Sequence, residues 1–298
     1  MALILANDGI DKSAEEALVA LGHEVDTNKY EGEALLKRLA EVDAVIVRSA
    51  TKLRNPEIEA GARGRLKLII RGGVGVDNIN VDYAMEKGIE VRNTPAASSS
   101  AVAELALGHM LSLARHIGEA NVTMRQGQWL KKQYSGTEIA GKTLGLIGFG
   151  RIANSLAEKC NALGMNVIFT DILDIECADC VQKTLEDVLK EADYISLHVP
   201  FSGGKPLIGK EEIALMKDGV FIINCARGGV VDEDALVDAI EAGKVRGAAL
   251  DVYTVEPCDN ERVRNCGKIS LTPHIGAATK EAQARIGDNI VDIIKERL

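Results

Sequence analysis

The sequence predicts an α/β protein of two doubly wound parallel-sheet domains, one inserted into the other. Three observations carry this. Short apolar runs alternate with amphipathic segments along nearly the whole chain, the pattern of repeated βαβ units. The runs are continuously apolar, as strands covered on both faces must be. A small, polar stretch, TPAASSSA at 94–101, separates a first α/β region from a second. The 298 residues suffice for two ordinary domains. With 46% hydrophobic and 27% charged residues, the chain can bury a sizeable core.

The elements follow in order. ALILA (2–6) reads as a strand, and Ser13 with Glu16 reads as a capping box that opens a helix closing at Gly22. AVIVR (44–48), LKLIIR (66–71) and IEVRN (89–93) are further strands, the last preceded by the helix VDYAMEKG. The small stretch then leads into one long helical pattern, AVAELALGHMLSLARHIGEANVTMRQG, suited to linking two domains. Strands of the second region are expected at 143–148, 166–171, 194–199, 220–225, 248–252 and 269–273. The amphipathic segment from Thr279 to Leu298 is expected to cross back and complete the first domain. The boundaries are therefore set at 1–96, 97–278 and 279–298.

Composition excludes some functions. A net charge of −9 argues against nucleic-acid or acidic-membrane binding, so an anionic substrate would need a local cluster of arginines. The N-terminus lacks a basic segment before its short apolar run, and no run approaches a membrane span, so a cytoplasmic protein is expected. Of the six cysteines, Cys177 and Cys180 form one CxxC; no second pair completes a zinc site, and free thiols in a loop are expected.

The most informative stretch is LIGFGRIANS at 146–155. It follows a strand and opens a helix. Gly148 permits the tight turn, Gly150 lets the backbone approach a pyrophosphate, and Ala153 occupies the third, packing position. The phosphates would sit on the helix N-terminus. Asp171, ending the next strand, would accept hydrogen bonds from the adenosine ribose and repel a 2′-phosphate, and D-I-L-D-I-E supplies no arginine. The second domain is thus a Rossmann domain for NAD, within a flavodoxin-like partner. Ligands bind at the carboxyl ends of parallel strands, where His198, Val199, Pro200, Cys225, Ala226, Arg227, Asp251 and His274 also fall. A buried His274 paired with Glu256 would make a general acid/base, the carboxylate raising the imidazole pKa, and Arg227 could bind a carboxylate bidentately.

The order GFGRIA, Asp171, HVP, NCARGGVVDEDAL, ALDVYTVEP and TPHIGAAT resembles the D-isomer-specific 2-hydroxyacid dehydrogenase family, over essentially the whole chain. The resemblance implies that Arg227 binds the substrate carboxylate and carbonyl, that His274 exchanges the proton at the C2 oxygen, and that Glu256 partners it. It implies NAD contacts from Val74, Gly148, Gly150, Arg151, Ile152, Asp171, Val199, Pro200, Cys225, Ala226, Arg227, Asp251, His274, Gly276 and Ala277. RSATK, RGGVGVDN and SGTEIAGKTLGLIGFGRI are most similar to members that oxidise 3-phospho-D-glycerate to 3-phosphooxypyruvate, the entry to serine biosynthesis. Arg48, Ser49, Arg71 and Gln283 are then the phosphate candidates, with the backbone of Gly73 and Val74 for the carboxylate. The alternatives are glyoxylate or hydroxypyruvate reduction and, in another class, an NAD-sensing corepressor. The resemblance also implies a homodimer packed through residues 98–140, Trp129 included, and, with the chain ending at Leu298, no C-terminal regulatory domain.

Overall fold

The computed structural model describes residues 1–201 and 203–298. The chain forms two compact units, Met1–Ser98 with Ala277–Leu298, and Ser99–Gly276. In the first, strands β1 (Leu3–Ala6), β2 (Glu24–Asp26), β3 (Ala44–Val47), β4 (Leu68–Arg71) and β5 (Glu90–Asn93) alternate with helices α1 (Lys12–Ala20), α2 (Gly32–Glu41), α3 (Asn55–Ala62) and α4 (Val81–Glu86). The strands pair in parallel in the order β2-β1-β3-β4-β5, the flavodoxin-like order.

Successive strand side chains point to opposite faces, so each strand feeds two cores. Ile4, Ile46 and Ile70 enter one, while Leu5, Val45 and Ile69 enter the other with Leu35, Leu39 and Ile58. Helix α1 starts differently from the sequence reading: its cap is Asp11, whose side chain accepts from Ser13 N at 3.0 Å, so Ser13 lies inside the first turn. Asp competes equally with Ser for this position, and here it stands two residues earlier.

The second unit opens with α5 (Ser99–Arg115) and α6 (Ile117–Arg125). The single helical pattern is therefore two helices: His116 between them adopts a left-handed conformation, φ 55°. On α5 the buried residues Val102, Ala103, Ala106, His109 and Met110 recur at spacings of three and four, making one covered face. There follow β6 (Thr143–Ile147), α7 (Arg151–Ala162), β7 (Asn166–Thr170), β8 (Cys180–Gln182), α8 (Leu185–Glu191), β9 (Tyr194–Leu197), α9 (Lys210–Leu215), β10 (Val220–Asn224), α10 (Glu233–Glu241), β11 (Val245–Leu250), α11 (Glu261–Asn265) and β12 (Ile269–Leu271). The strands pair in parallel in the order β12-β11-β10-β9-β6-β7-β8. The direction of winding reverses between β6 and β9, which opens a crevice beyond their carboxyl ends.

Helix α12 (Lys280–Arg297) returns to the first unit. Thr279 caps it by accepting from Ala282 N, and Ile286, Ile290 and Ile294 bury one stripe against the β1–β3–β4 core. Gly287 is needed there, because a Cβ would lie 2.8 Å from the Ala14 Cβ of α1. No helix among the described residues is long and apolar enough to cross a membrane.

Candidate active site

The glycine loop lies at the reversal point of the second sheet. Gly148 has φ +83°, and a Cβ on it would stand 2.8 Å from both His198 O and Val199 Cγ1, so the loop after β6 touches the loop after β9 through glycine alone. Gly150 precedes α7 without a side-chain cap, and a Cβ there would meet no neighbour within 4 Å. The open side of Gly150 and the unpaired first-turn amides, with Arg151 and Ile152 leading the helix, form a cradle that a dinucleotide pyrophosphate fits. Ala153 is fully buried among Ala103, Ala106 and Leu156, in keeping with a packing role.

Asp171 follows β7 and reaches back: Oδ2 accepts from Phe149 N at 2.7 Å, and Oδ1 accepts from Leu173 N at 3.1 Å. A carboxylate has about four acceptor positions, so two remain for ribose hydroxyls. The segment beyond it overturns one expectation. Cys177 and Cys180 are joined in a disulfide, Cα–Cα 5.3 Å, rather than being free thiols. The Gln182 side chain explains why they meet: it donates to Leu173 O at 2.7 Å and accepts from Ile175 N at 2.9 Å, folding the loop over. Val199 and Pro200 follow β9 directly, behind His198, whose imidazole burial lowers to about 4.

Arg227 follows β10, in a turn held by Asn224, whose side chain accepts from Ala226 N and donates to Arg227 O at 2.8 Å. The Arg227 guanidinium donates to Ala226 O at 2.6 Å. Cys225 and Ala226 are buried beneath it; burial, with the charge of Asp251, pushes the Cys225 thiol far up. Glu256 follows β11 and His274 follows β12; His274 Nδ1 lies 2.8 Å from Glu256 Oε2. The expected pair forms, but it is not buried: the two side chains are 35% and 37% exposed. Burial raises the Glu256 pKa, but His274's hydrogen bond and charge, Tyr253 N–H and Arg227 together outweigh it and hold the group below its ordinary value. An imidazole with its Nδ1 fixed by a carboxylate leaves Nε2 for proton exchange, beside a guanidinium suited to a carboxylate.

In the first unit, Arg48 lies just past β3 and Arg71 ends β4, and Ser49 is exposed. Arg48 N donates to Asp8 Oδ2 at 2.7 Å. Burial raises the Asp8 pKa, but Lys29, Thr51 and the Arg48 and Thr51 amides reverse that and hold it low. Burial in turn lowers the Arg48 pKa against the charge of Asp8. Arg71 lies across Gly73, φ +149°, where a Cβ would fall 1.4 Å from Arg71 Nη1. Arg48, Gly72 and Gln283 line one small cavity, and Gln283 donates to Ala277 O at 2.7 Å. Val74 and Ala277 also belong to this unit, whereas the other cofactor candidates belong to the second.

Sequence reasoning passed over His109, Asn224, Tyr253 and Thr272. The Tyr253 hydroxyl is placed to donate to Thr272 O at 2.9 Å and Leu250 O at 3.1 Å, tying β11 to the loop that carries His274. His109 left one legible signal, a histidine on the otherwise apolar face of α5.

A profile of the D-isomer specific 2-hydroxyacid dehydrogenase NAD-binding domain matches residues 107–276. The chain is 46% identical to a hydroxypyruvate reductase of Thermotoga maritima, over 98% of this chain and 97% of that protein. It is 42% identical to a D-3-phosphoglycerate dehydrogenase of Methanocaldococcus jannaschii, over 100% of this chain but 58% of that protein. Among solved structures it superposes with TM-score 0.84 and 31% identity on a D-lactate dehydrogenase of Aquifex aeolicus complexed with NAD and lactic acid, covering 98% of this chain and 94% of that one.

Proposed function

This chain belongs to the D-isomer-specific 2-hydroxyacid dehydrogenase family and is an NAD-dependent dehydrogenase, and we propose that it oxidises 3-phospho-D-glycerate to 3-phosphooxypyruvate. The observation that carries the phosphorylated substrate is the pair of arginines at neighbouring strand ends of the first unit, Arg48 and Arg71, with Gln283 on the same small cavity as Arg48. A phosphate needs several cations or donors. On this reading Arg48, Ser49, Arg71 and Gln283 take the phosphate, and the backbone of Gly73 and Val74 takes the carboxylate. Arg227 binds the carboxylate and polarises the C2 oxygen, and His274 takes the hydroxyl proton while Glu256 fixes its ring. NAD, when bound, accepts the C2 hydrogen as hydride.

The test compares 3-phosphoglycerate with glycerate, NAD as acceptor. Arg48→Ala and Arg71→Ala should each lower kcat/KM for the phosphorylated substrate about 10- to 100-fold, the worth of a charge-assisted contact, and leave glycerate nearly unchanged. Equal wild-type kcat/KM on the two substrates would sink the phosphate assignment. A second reading, hydroxypyruvate reduction, is favoured by the near full-length likeness to the Thermotoga maritima reductase; hydroxypyruvate then outruns 3-phosphooxypyruvate with NADH.

Serine biosynthesis and a cytoplasmic setting belong to the first reading. We also propose a homodimer. Ile117, Val122 and Met124 of α6 and the following Trp129 expose apolar side chains, Trp129 to 78%. Next to α6 runs a groove of about 980 Å³ lined by Leu113, Val122, Tyr134, Phe221 and Leu271. Apolar surface of this kind on one side of a unit is suited to a second copy.

A further inference from the structure

A line of hydrogen bonds runs from α5 to the segment that carries His274. Asp251 directly follows β11 and is 1% exposed. Its Oδ1 accepts from Thr272 Oγ1 at 2.6 Å and from Ile275 N at 2.8 Å, and its Oδ2 accepts from Gly276 N at 2.8 Å. Thr272 Oγ1 lies 3.1 Å from His109 Nε2, and His109 Nδ1 lies 2.9 Å from Ser270 Oγ.

The line has one direction. A carboxylate only accepts, so the Thr272 hydroxyl proton goes to Asp251. Thr272 Oγ1, its proton spent, must accept from His109 Nε2–H. His109 is thereby the Nε2–H tautomer, and its Nδ1 accepts the Ser270 hydroxyl. Burial, opposed by the charge of Asp251, lowers the His109 pKa and so favours this neutral form, in which Nδ1 accepts from Ser270.

At the other end the two amides held by Asp251 directly follow His274, a non-glycine residue at φ +54°. Such a conformation persists only where the surroundings over-determine it. Gly276 has little room to move: a Cβ would come within 3.1 Å of Asp251 Oδ2 and 3.2 Å of Val102 Cγ2. The other buried α5 residues in this stretch, Val102, Ala103, Ala106 and Met110, show that packing alone is met by apolar side chains.

We propose that His109 is a positioning residue for the dehydrogenase reaction: through Thr272 and Asp251 it fixes the segment 273–276 and so the reach of the His274 imidazole toward its proton partner. This rests on the reading of His274 as the proton-exchanging group.

The test measures NADH-dependent reduction of hydroxypyruvate by the full chain. His109→Leu should lower kcat about tenfold, in the range that a small misplacement of a reacting group costs, while KM for NADH stays within about twofold. His109→Gln keeps a donor and an acceptor and should restore most of the rate. Thr272→Val should reproduce the loss. The double variant His109→Leu/Thr272→Val should be no slower than the slower single, because both break one line. His274→Gln is the control and should lose about a thousandfold or more. Wild-type kcat in Thr272→Val, or in a folded His109→Leu, overturns the proposal, as do losses that multiply in the double variant. Should His109→Leu not fold, Thr272→Val alone decides. Substantial activity in His274→Gln instead overturns the reading of His274, whatever His109 does.

Discussion

Glu256 is under opposed influences, burial pushing its pKa up and the imidazole of His274, the Tyr253 amide and Arg227 pulling it further down. Glu256→Gln keeps the shape and removes the charge. It should slow turnover about 10- to 100-fold, the usual share of an acid–base partner, with little change in NADH affinity. The sign of the pKa shift sets a second outcome. A carboxyl whose folded pKa is depressed stabilises fully above its unfolded value, here 4.5, and that stabilisation is lost as pH falls through the lower folded value. The melting-temperature difference between wild type and Glu256→Gln should therefore hold down to about pH 5.5 and shrink below about pH 4.5. A difference that grows on acidification would contradict the assignment. Arg227, Glu256 and His274 were legible as candidates because each closely follows an apolar run, and the ends of parallel strands share one side of a sheet. His109 left only the mark of a polar residue on an apolar helix face, since its worth depends on which side chains of β12 face α5, and no spacing within a helix states that.

Among the elements, the long apolar strands β1, β3, β4, β6, β9 and β10 could be read directly, whereas β2 and β8 could not. These two have three residues each, Glu24–Asp26 and Cys180–Gln182, and lie at sheet edges where polar residues are tolerated. The break between α5 and α6 escaped the pattern because helix-forming residues run on through His116, whose backbone turns left-handed. The Cys177–Cys180 disulfide escaped it because the Gln182 hydrogen bonds that fold the loop join residues seven and nine apart. A disulfide spanning so few residues constrains the unfolded chain little. Cys177→Ser should cost no more than about 2 kcal/mol by loop-closure entropy, a shift of only a few degrees in melting temperature. A collapse of the fold on that substitution would show that the loop does more than cross-link itself.

For the whole molecule, a net charge of −9 opposes the approach of an anion, so on the proposed function association of the substrate should be slow at low ionic strength and quicken as salt is added. The apolar side chains of α6 and Trp129 give a sharper expectation. Light scattering at micromolar concentration should return about twice the 31.9 kDa chain mass, and Trp129→Asp should lower it toward one chain. A single-chain mass for the wild type would end the dimer proposal. A Cβ on Gly228 would fall 1.8 Å from Tyr253 O, and one on Gly229 2.4 Å from Phe201 Cε1, so the turn bearing Arg227 lies flush against the backbone just before Glu256 and against the loop that follows β9. Three stretches far apart in the chain are thereby one unit of inheritance. On the proposed reading, any change in the acid recognised at Arg227 must keep both glycines or rebuild all three loops together.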